Sequence, residues 1–261
     1  MPSGTPAADS SVGWAPSKLT TETPVEILTQ SAAALRKAGS FRLQGTLGAT
    51  AVISKPMRIS AALYPKHVVE ISGVELGGRL GIILTGRGAY FRADTSFWSE
   101  TTHNARAAAL LANRWFAYPQ GEARKLTRGM SAADPRQIAR CMLVGNGKLT
   151  LAGYKMVGDQ RAIVLHSSPQ GPGGQASDIA VAVYGRPYPL QVTALGRPLP
   201  GHAKAVPGCG GAGSGAGATD IRTMTLSDFG HLPKLEVPSD AMSVQQYVQH
   251  LKSVQADLTP A

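Results

Sequence analysis

Apolar residues first recur at helical spacing. Val25, Leu28, Ala32 and Leu35 form one stripe, the pattern of a helix that buries a single face. Thr23 stands before Pro24, with Glu26 three positions on. That is a capping box with proline in the first turn, and Gly39 supplies the stop. Beyond Gly39 the period falls to two. Phe41, Leu43 and Leu47 alternate with Arg42, Gln44 and Thr46, and Met57, Ile59, Ala61 and Leu63 alternate with Arg58 and Ser60. Such alternation predicts strands with one face in a core and one in water. Further strands are predicted at 67–76, 79–85, 89–93, 148–157, 160–167, 178–184, 189–195 and 221–227. Tyr64-Pro65, Gly77-Gly78, Gly86 to Gly88 and Gly158-Asp159 separate many of them, and connections this short predict antiparallel pairing.

A helical insert is expected over about 96–143, between the two strand groups. Asn104 to Trp115 is rich in Ala and Leu, and Asp134-Pro135 opens a helix to about Leu143. A last helix is predicted from Ser243, with Gln246 as capping partner and Val244, Tyr247, Val248, Leu251 and Val254 as its stripe. The segment 196–219 holds Pro198, Pro200 and Pro207 and then a Gly/Ala tract, a flexible excursion between strands. Residues 1–20 are mostly Ser, Pro, Gly and Ala, the composition of a tether, which leaves 21–261 as a single domain.

Composition narrows the class. The chain has 261 residues, 43% of them hydrophobic and 16% charged, which excludes wholesale disorder. Its 30 Gly and 18 Pro favour turns and strands over a helical bundle. No apolar run of about 18 residues is present, and Met1 opens onto a polar segment rather than a signal peptide. The net charge is +10, but Lys and Arg are scattered, the densest group being Arg124, Lys125 and Arg128. With 6% aromatics there are few stacking platforms, so nucleic acid is not the expected partner. Diffuse positive charge suits an anionic membrane or cell-wall surface.

Candidate chemistry is sparse. Gly208, Gly210 and Gly213 match a GxGxxG spacing, yet they lie in a Gly/Ala tract with a strand, not a helix, downstream. The six histidines include no pair at zinc-ligand spacing. Ser214 lacks the surroundings of a nucleophile elbow. Asp94, Glu100, Asp134, Asp159, Asp178 and Asp228 are dispersed, and Asp134 before Pro135 reads as a helix cap. No nucleophile–base constellation is visible, so neither catalysis nor a cofactor or metal is expected. Cys141 and Cys209 are the two cysteines. In an oxidising compartment they would pair, closing a long loop worth roughly 4 kcal/mol in the chain-entropy model. The alternative is two reduced thiols, one of them buried in the 135–143 helix.

Several stretches carry a family likeness: SAAALRKAGSFRLQGTL (31–47), GRGAYFRADTSFW (86–98), LLANRWFAYP (110–119), YGRPYPLQV (184–192) and TLSDFG (225–230). Over about residues 23–240 the chain resembles the actinobacterial cell-envelope lipoproteins of the LppX/LprG type and, more remotely, the LolA/LolB lipoprotein carriers. The resemblance implies an α+β fold in which a strongly curved antiparallel half-barrel wraps over a few helices, with an apolar cavity for acyl chains. It also implies export and a lipid anchor at a lipobox cysteine. This sequence departs there, because no lipobox is visible and Cys141 and Cys209 lie too deep to serve. A Met at the processed N-terminus and a Ser/Pro/Gly spacer after it would account for the difference.

The patterning gives separate support. About ten strands each offer an apolar face, and few helical segments are available to cover them, so a curved sheet would retain an apolar void. Ile59, Leu63, Ile71, Ile82, Leu84, Phe91, Leu149 and Leu151 are expected on its inward faces. Phe97, Trp98, Leu110, Leu111, Trp115 and Phe116 are expected at its mouth. The function expected is a monomeric, extracytoplasmic, membrane-anchored lipoprotein that binds or carries a lipid or lipidated molecule. An envelope accessory or sensor module with a filled core is the alternative, and a hydrolase or transferase with a non-local site is a third.

Overall fold

The computed structural model describes residues 18–47, 57–66, 68–75, 77–86, 88–118, 134–143, 147–168, 176–195, 223–243, 245–249 and 252. A 3₁₀ turn at Lys18–Thr21 leads into helix α1, Pro24–Ala38. The Thr23 side chain accepts from the Glu26 N–H, and the Glu26 carboxylate accepts from the Thr23 N–H at 2.8 Å, closing the expected capping box. Gly39 ends the helix at φ 73°, a left-handed conformation natural to glycine. The buried face is Ile27, Leu28, Ser31, Ala32 and Leu35. Val25, in the first turn, stays exposed, and Ile27 takes the inward place instead.

Strands β1 (Phe41–Leu47), β2 (Met57–Tyr64), β3 (Val68–Glu75), β4 (Gly78–Leu84) and β5 (Ala89–Ala93) form an antiparallel meander. Helices α2 (Thr95–Thr102) and α3 (Ala105–Leu111) follow, then the two-residue strand β6 (Phe116–Ala117) on β5 and helix α4 (Pro135–Leu143). A second meander comprises β7 (Leu149–Val157), β8 (Gln160–Ser167), β9 (Ala176–Ala182), β10 (Pro189–Leu195) and β11 (Thr223–Ser227). Strand β11 returns beside β1, so the two meanders fuse into one open, curved sheet. A short β12 (Met242–Ser243) pairs in parallel with β6, and every other pairing is antiparallel. The order is β12-β6-β5-β4-β3-β2-β1-β11-β10-β9-β8-β7. The fold is therefore α+β.

The insert is less helical than its composition suggested. Asp94 caps α2 and Asn104 caps α3 with side-chain acceptors. However, α3 stops at Leu111 rather than running to Trp115. Asn113 turns the chain at φ 60° and donates its N–H to the Ala93 carbonyl at 2.7 Å, which directs 116–117 into the sheet.

Both helix pairs, α1 with α4 and α2 with α3, cover the same face of the sheet. Ile27 and Leu28 pack on Ile163, Leu165, Ile179 and Val181 of β8 and β9. Ala32 and Leu35, with Ala139 of α4, pack on Phe41, Ala61, Leu63, Val69 and Leu226. Trp98, Ala108 and Leu111 pack on Leu80, Ala93 and Phe116. Residues 245–249 are helical. The Ser243 hydroxyl accepts from the Gln246 N–H, and the Gln246 amide oxygen accepts from the Ser243 N–H. Val248 is exposed, and Val244, Leu251 and Val254 of the expected stripe lie outside the described side chains. On α4, Cys141 is not a free thiol. Cys209, expected as its partner, lies outside the described residues, as do residues 1–17 and the Gly/Pro-rich segment 196–222.

Candidate functional site

Pairing register aligns the apolar positions into cross-strand rows. One row runs Leu226, Leu43, Ala61, Ile71, Ile82, Phe91 and Phe116, a single apolar line across seven strands. A parallel row runs Phe41, Leu63, Val69, Leu84 and Ala89. Side chains two residues apart share a face, so both rows face the helices.

Burial along the first row is uneven. Leu226 and Ala61 are buried under α1 and α4, and Phe116 is buried under α2 and α3. Between Ala61 and Phe116, Ile71, Ile82 and Phe91 are only half-buried, as are Ile59 in the neighbouring row and Leu43, which packs on the α1–α4 cluster between Leu226 and Ala61. Ile71 packs toward the α1–α4 cluster and Ile82 toward the α2–α3 cluster. Because Ile71 and Ile82 are direct cross-strand partners, the seam between the two helical covers falls between β3 and β4.

Of the expected inward residues, Ile59, Ile71, Ile82 and Phe91 meet at this seam. Leu63 and Leu84 lie deeper in the sheet core, and Leu149 packs half-buried beside Ile27 and Leu165. Leu151 is not inward under cover: it is 50% exposed. Its partner Leu165 is buried beneath α1, but Leu151 sits on the outermost strand, next to a bulge between Leu151 and Gly153.

The insert residues divide similarly. Phe97, Trp98, Leu111 and Phe116 join the cluster over β4 and β5, and Leu110 is half-buried on α3. Phe91, Phe97, Trp98 and Phe116 are linked by ring contacts of 5.5–5.8 Å, and Tyr247 closes on Phe116 at 5.2 Å. Burial among these rings raises the Tyr247 phenol above its ordinary pKa. The Trp98 indole N–H is buried without a hydrogen-bond partner among the described residues. Trp115 lies on the opposite face. Its ring end would be 3.7 Å from a Cβ on Gly81, and the Arg92 guanidinium stacks 4.6 Å above it. It was expected at the mouth because the helix was expected to reach it.

The sheet also carries a cleft of about 610 Å³ at one end of β1–β4 and β11. Its walls are Gln44, Ser60, Ser72 and Thr225, one cross-strand row, with Arg58, Arg79 and Thr223 beyond them. These side chains alternate with Gly45, Ile59, Gly73 and Leu80, so by register the cleft opens on the face opposite the described helices α1 to α4. It presents hydroxyl, amide and guanidinium groups on a lining whose larger part is apolar, and it is not the chamber expected between sheet and helices. Its signal in the sequence was the alternation itself, whose polar half, Gln44, Arg58 and Ser60, was assigned to water.

Asp94 fixes the neighbouring corner. Its carboxylate accepts from the Arg79 N–H at 2.9 Å and the Phe97 N–H at 3.0 Å. Slight burial acts to raise its pKa, but N–H donors from Phe97, Arg79 and Ser96 and the Arg79 charge outweigh it and hold the group low. On the same sheet, His166 and Asp178 face each other across β8 and β9 at 2.9 Å. No group of three metal-ligating side chains occurs among the described residues, and no helix among them is long and apolar enough to cross a membrane.

No family model matches the chain, and no curated protein matches it. Among solved structures it is similar to LprF from Mycobacterium bovis, at 12% identity and TM-score 0.49, over 87% of this chain and 99% of that one. It is similar also to the lipoprotein LppX from Mycobacterium tuberculosis, at 9% identity and TM-score 0.47, over 84% of this chain and all of that one. A LolA superfamily protein from Nitrosomonas europaea aligns at 11% identity and TM-score 0.26, over 83% of this chain and 96% of its own. These are the kinds of protein that the sequence resembles.

Proposed function

We propose that this protein is a non-enzymatic, extracytoplasmic, lipid-anchored envelope lipoprotein that holds the acyl chains of a lipid or lipidated molecule along the seam between its helical covers. The observation that supports this reading is the half-buried apolar line Ile71, Ile82 and Phe91, flanked by two helix pairs that belong to separate clusters. An apolar guest there would gain about 0.8 kcal/mol per methylene removed from water, and the helix pairs could separate along the seam without breaking either cluster. A Cys141–Cys209 disulfide belongs to the same proposal, since it would tether the 196–222 segment to α4. Non-reducing mass spectrometry of exported protein checks it, and two free thiols would oppose it.

Titration of the purified chain with a fluorescent acyl probe, competed by fatty acids of increasing length, tests the binding. Expected is a tightening of about fourfold per added methylene, from the same burial energy, until the seam is filled. Ile71→Trp, which fills the seam, should weaken every competitor. Affinity independent of chain length would oppose the reading.

One observation favours a docking module instead. Leu151, Tyr154 and Met156 are 48–60% exposed on the edge strand β7, an apolar surface suited to a protein or membrane contact. On that reading the helix-covered face is simply core, and Ile71→Trp changes stability without changing any acyl affinity.

A further inference from the structure

The cleft at Arg58 and Arg79 lies on the other side of the sheet from the acyl seam and stands independently of it. Ile59, Gly73 and Leu80 form one cross-strand row, so Arg58 and Arg79, each one residue earlier on its strand, occupy the adjoining row on either side of Val74. They are two strand spacings apart, about 10 Å between backbones, with both side chains on the face opposite the described helices. Both are exposed, and neither forms an ion pair with another described residue. The next row inward is Gln44, Ser60 and Ser72, continued by Thr225, an amide and three hydroxyls in line.

Charges around the cleft are unbalanced. Arg42 reaches the Ser60 hydroxyl at 3.4 Å from the far side, while its Nε is paired with Asp228 at 2.8 Å. The Asp94 carboxylate, which feels the Arg79 charge, accepts two backbone N–H groups and offsets that charge only in part. Glu70 shares this face two residues from Ser72, at the end away from Arg58 and Arg79. No carboxylate lines the cleft among the described residues.

From this placement we infer that the cleft binds a phosphorylated polyol, with Arg58 and Arg79 clamping the phosphate and the Gln44, Ser60, Ser72 and Thr225 row hydrogen-bonding its hydroxyls. Guanidinium groups bind phosphate through charge-assisted hydrogen bonds, which is the strongest part of such a contact. A volume of about 610 Å³ exceeds a bare phosphate and falls in the range of small-molecule sites. The same chemistry is presented by a soluble sugar phosphate and by a phosphoglycerol lipid head group.

Calorimetric titration of the full chain with glucose 1-phosphate, glucose and inorganic phosphate tests the inference. Saturable binding of glucose 1-phosphate, tighter than either fragment, is expected. Arg58→Gln and Arg79→Gln should each weaken it about tenfold with unchanged thermal melts, because both side chains are exposed. Co-flotation with phosphatidylglycerol vesicles, reversed by glucose 1-phosphate and absent with phosphatidylcholine, would identify the lipid head group as the source. Binding of the free sugar phosphate without flotation would identify a soluble one. Absence of saturable binding in both arms, equal affinity for inorganic phosphate, or unaltered affinity in the Arg58→Gln/Arg79→Gln double variant would overturn the inference. Acyl binding at the seam is read separately by the fluorescent probe, so failure of one site does not imply failure of the other.

Discussion

Asp94 shows how one side chain joins strand to helix. It caps α2 through Phe97 and holds β4 through Arg79 with the same carboxylate. Asp94→Ala should cost about 1 kcal/mol, the usual effect of losing an N-cap, read from urea melts at pH 7. The sign of its pH dependence follows from a folded-state pKa held below the ordinary value. Its contribution is complete above the unfolded carboxylate pKa of about 3.9 and is lost as pH falls through the lower folded value. The gap between wild type and variant should therefore narrow only in strong acid. Trp98 is the other anchor, with ring contacts to Phe91, Phe97 and Phe116. Trp98→Ala should cost about 3–5 kcal/mol, as large aromatic deletions in cores do.

At the scale of elements, docking depends on close approach. A Cβ on Gly78 would collide with the backbone of Phe97 and with the Asp94 carboxylate, so only glycine lets α2 lie across the start of β4. Gly78→Ala should destabilise the chain by about 1–3 kcal/mol, the usual cost of overpacking, and hydrogen exchange should quicken first in α2. Elements of this kind were largely legible in the sequence. Two-residue alternation located β1 and β2, and the Thr23–Glu26 and Ser243–Gln246 pairs marked helix starts that the structure caps in that way. What escaped was what neighbours decide. Strands β6 and β12 are two residues each and carry no period. Trp115 leaves the helix because Asn113 bonds to Ala93, a contact distant in sequence. Leu151 repeats the pattern of Leu149 on the same edge strand, but it lies further along, at the Leu151/Gly153 bulge, where the described helices do not cover it.

Across the whole molecule, two meanders meet where β11 joins β1, and the helices divide their cover of the resulting face into two groups. The candidate site could not be read from single strands, because Ile71 and Ile82 become neighbours only through the β3–β4 register. Their partial burial depends on which helices reach them, and that is a property of the assembled fold. Leu151→Ser/Met156→Ser on β7 separates the two functional readings. Acyl affinity should be unchanged by it, since neither residue adjoins the seam, whereas a docking module would lose its partner contact. An apolar guest between the helical pairs is what separates a carrier from a filled core. Native mass spectrometry of the full chain, purified from an envelope-bearing host and compared before and after solvent extraction, measures this. A removable added mass that extraction identifies as an acyl-bearing lipid is the predicted result. A single unliganded mass in both samples, from a chain that also fails to take up acyl probes, would contradict it.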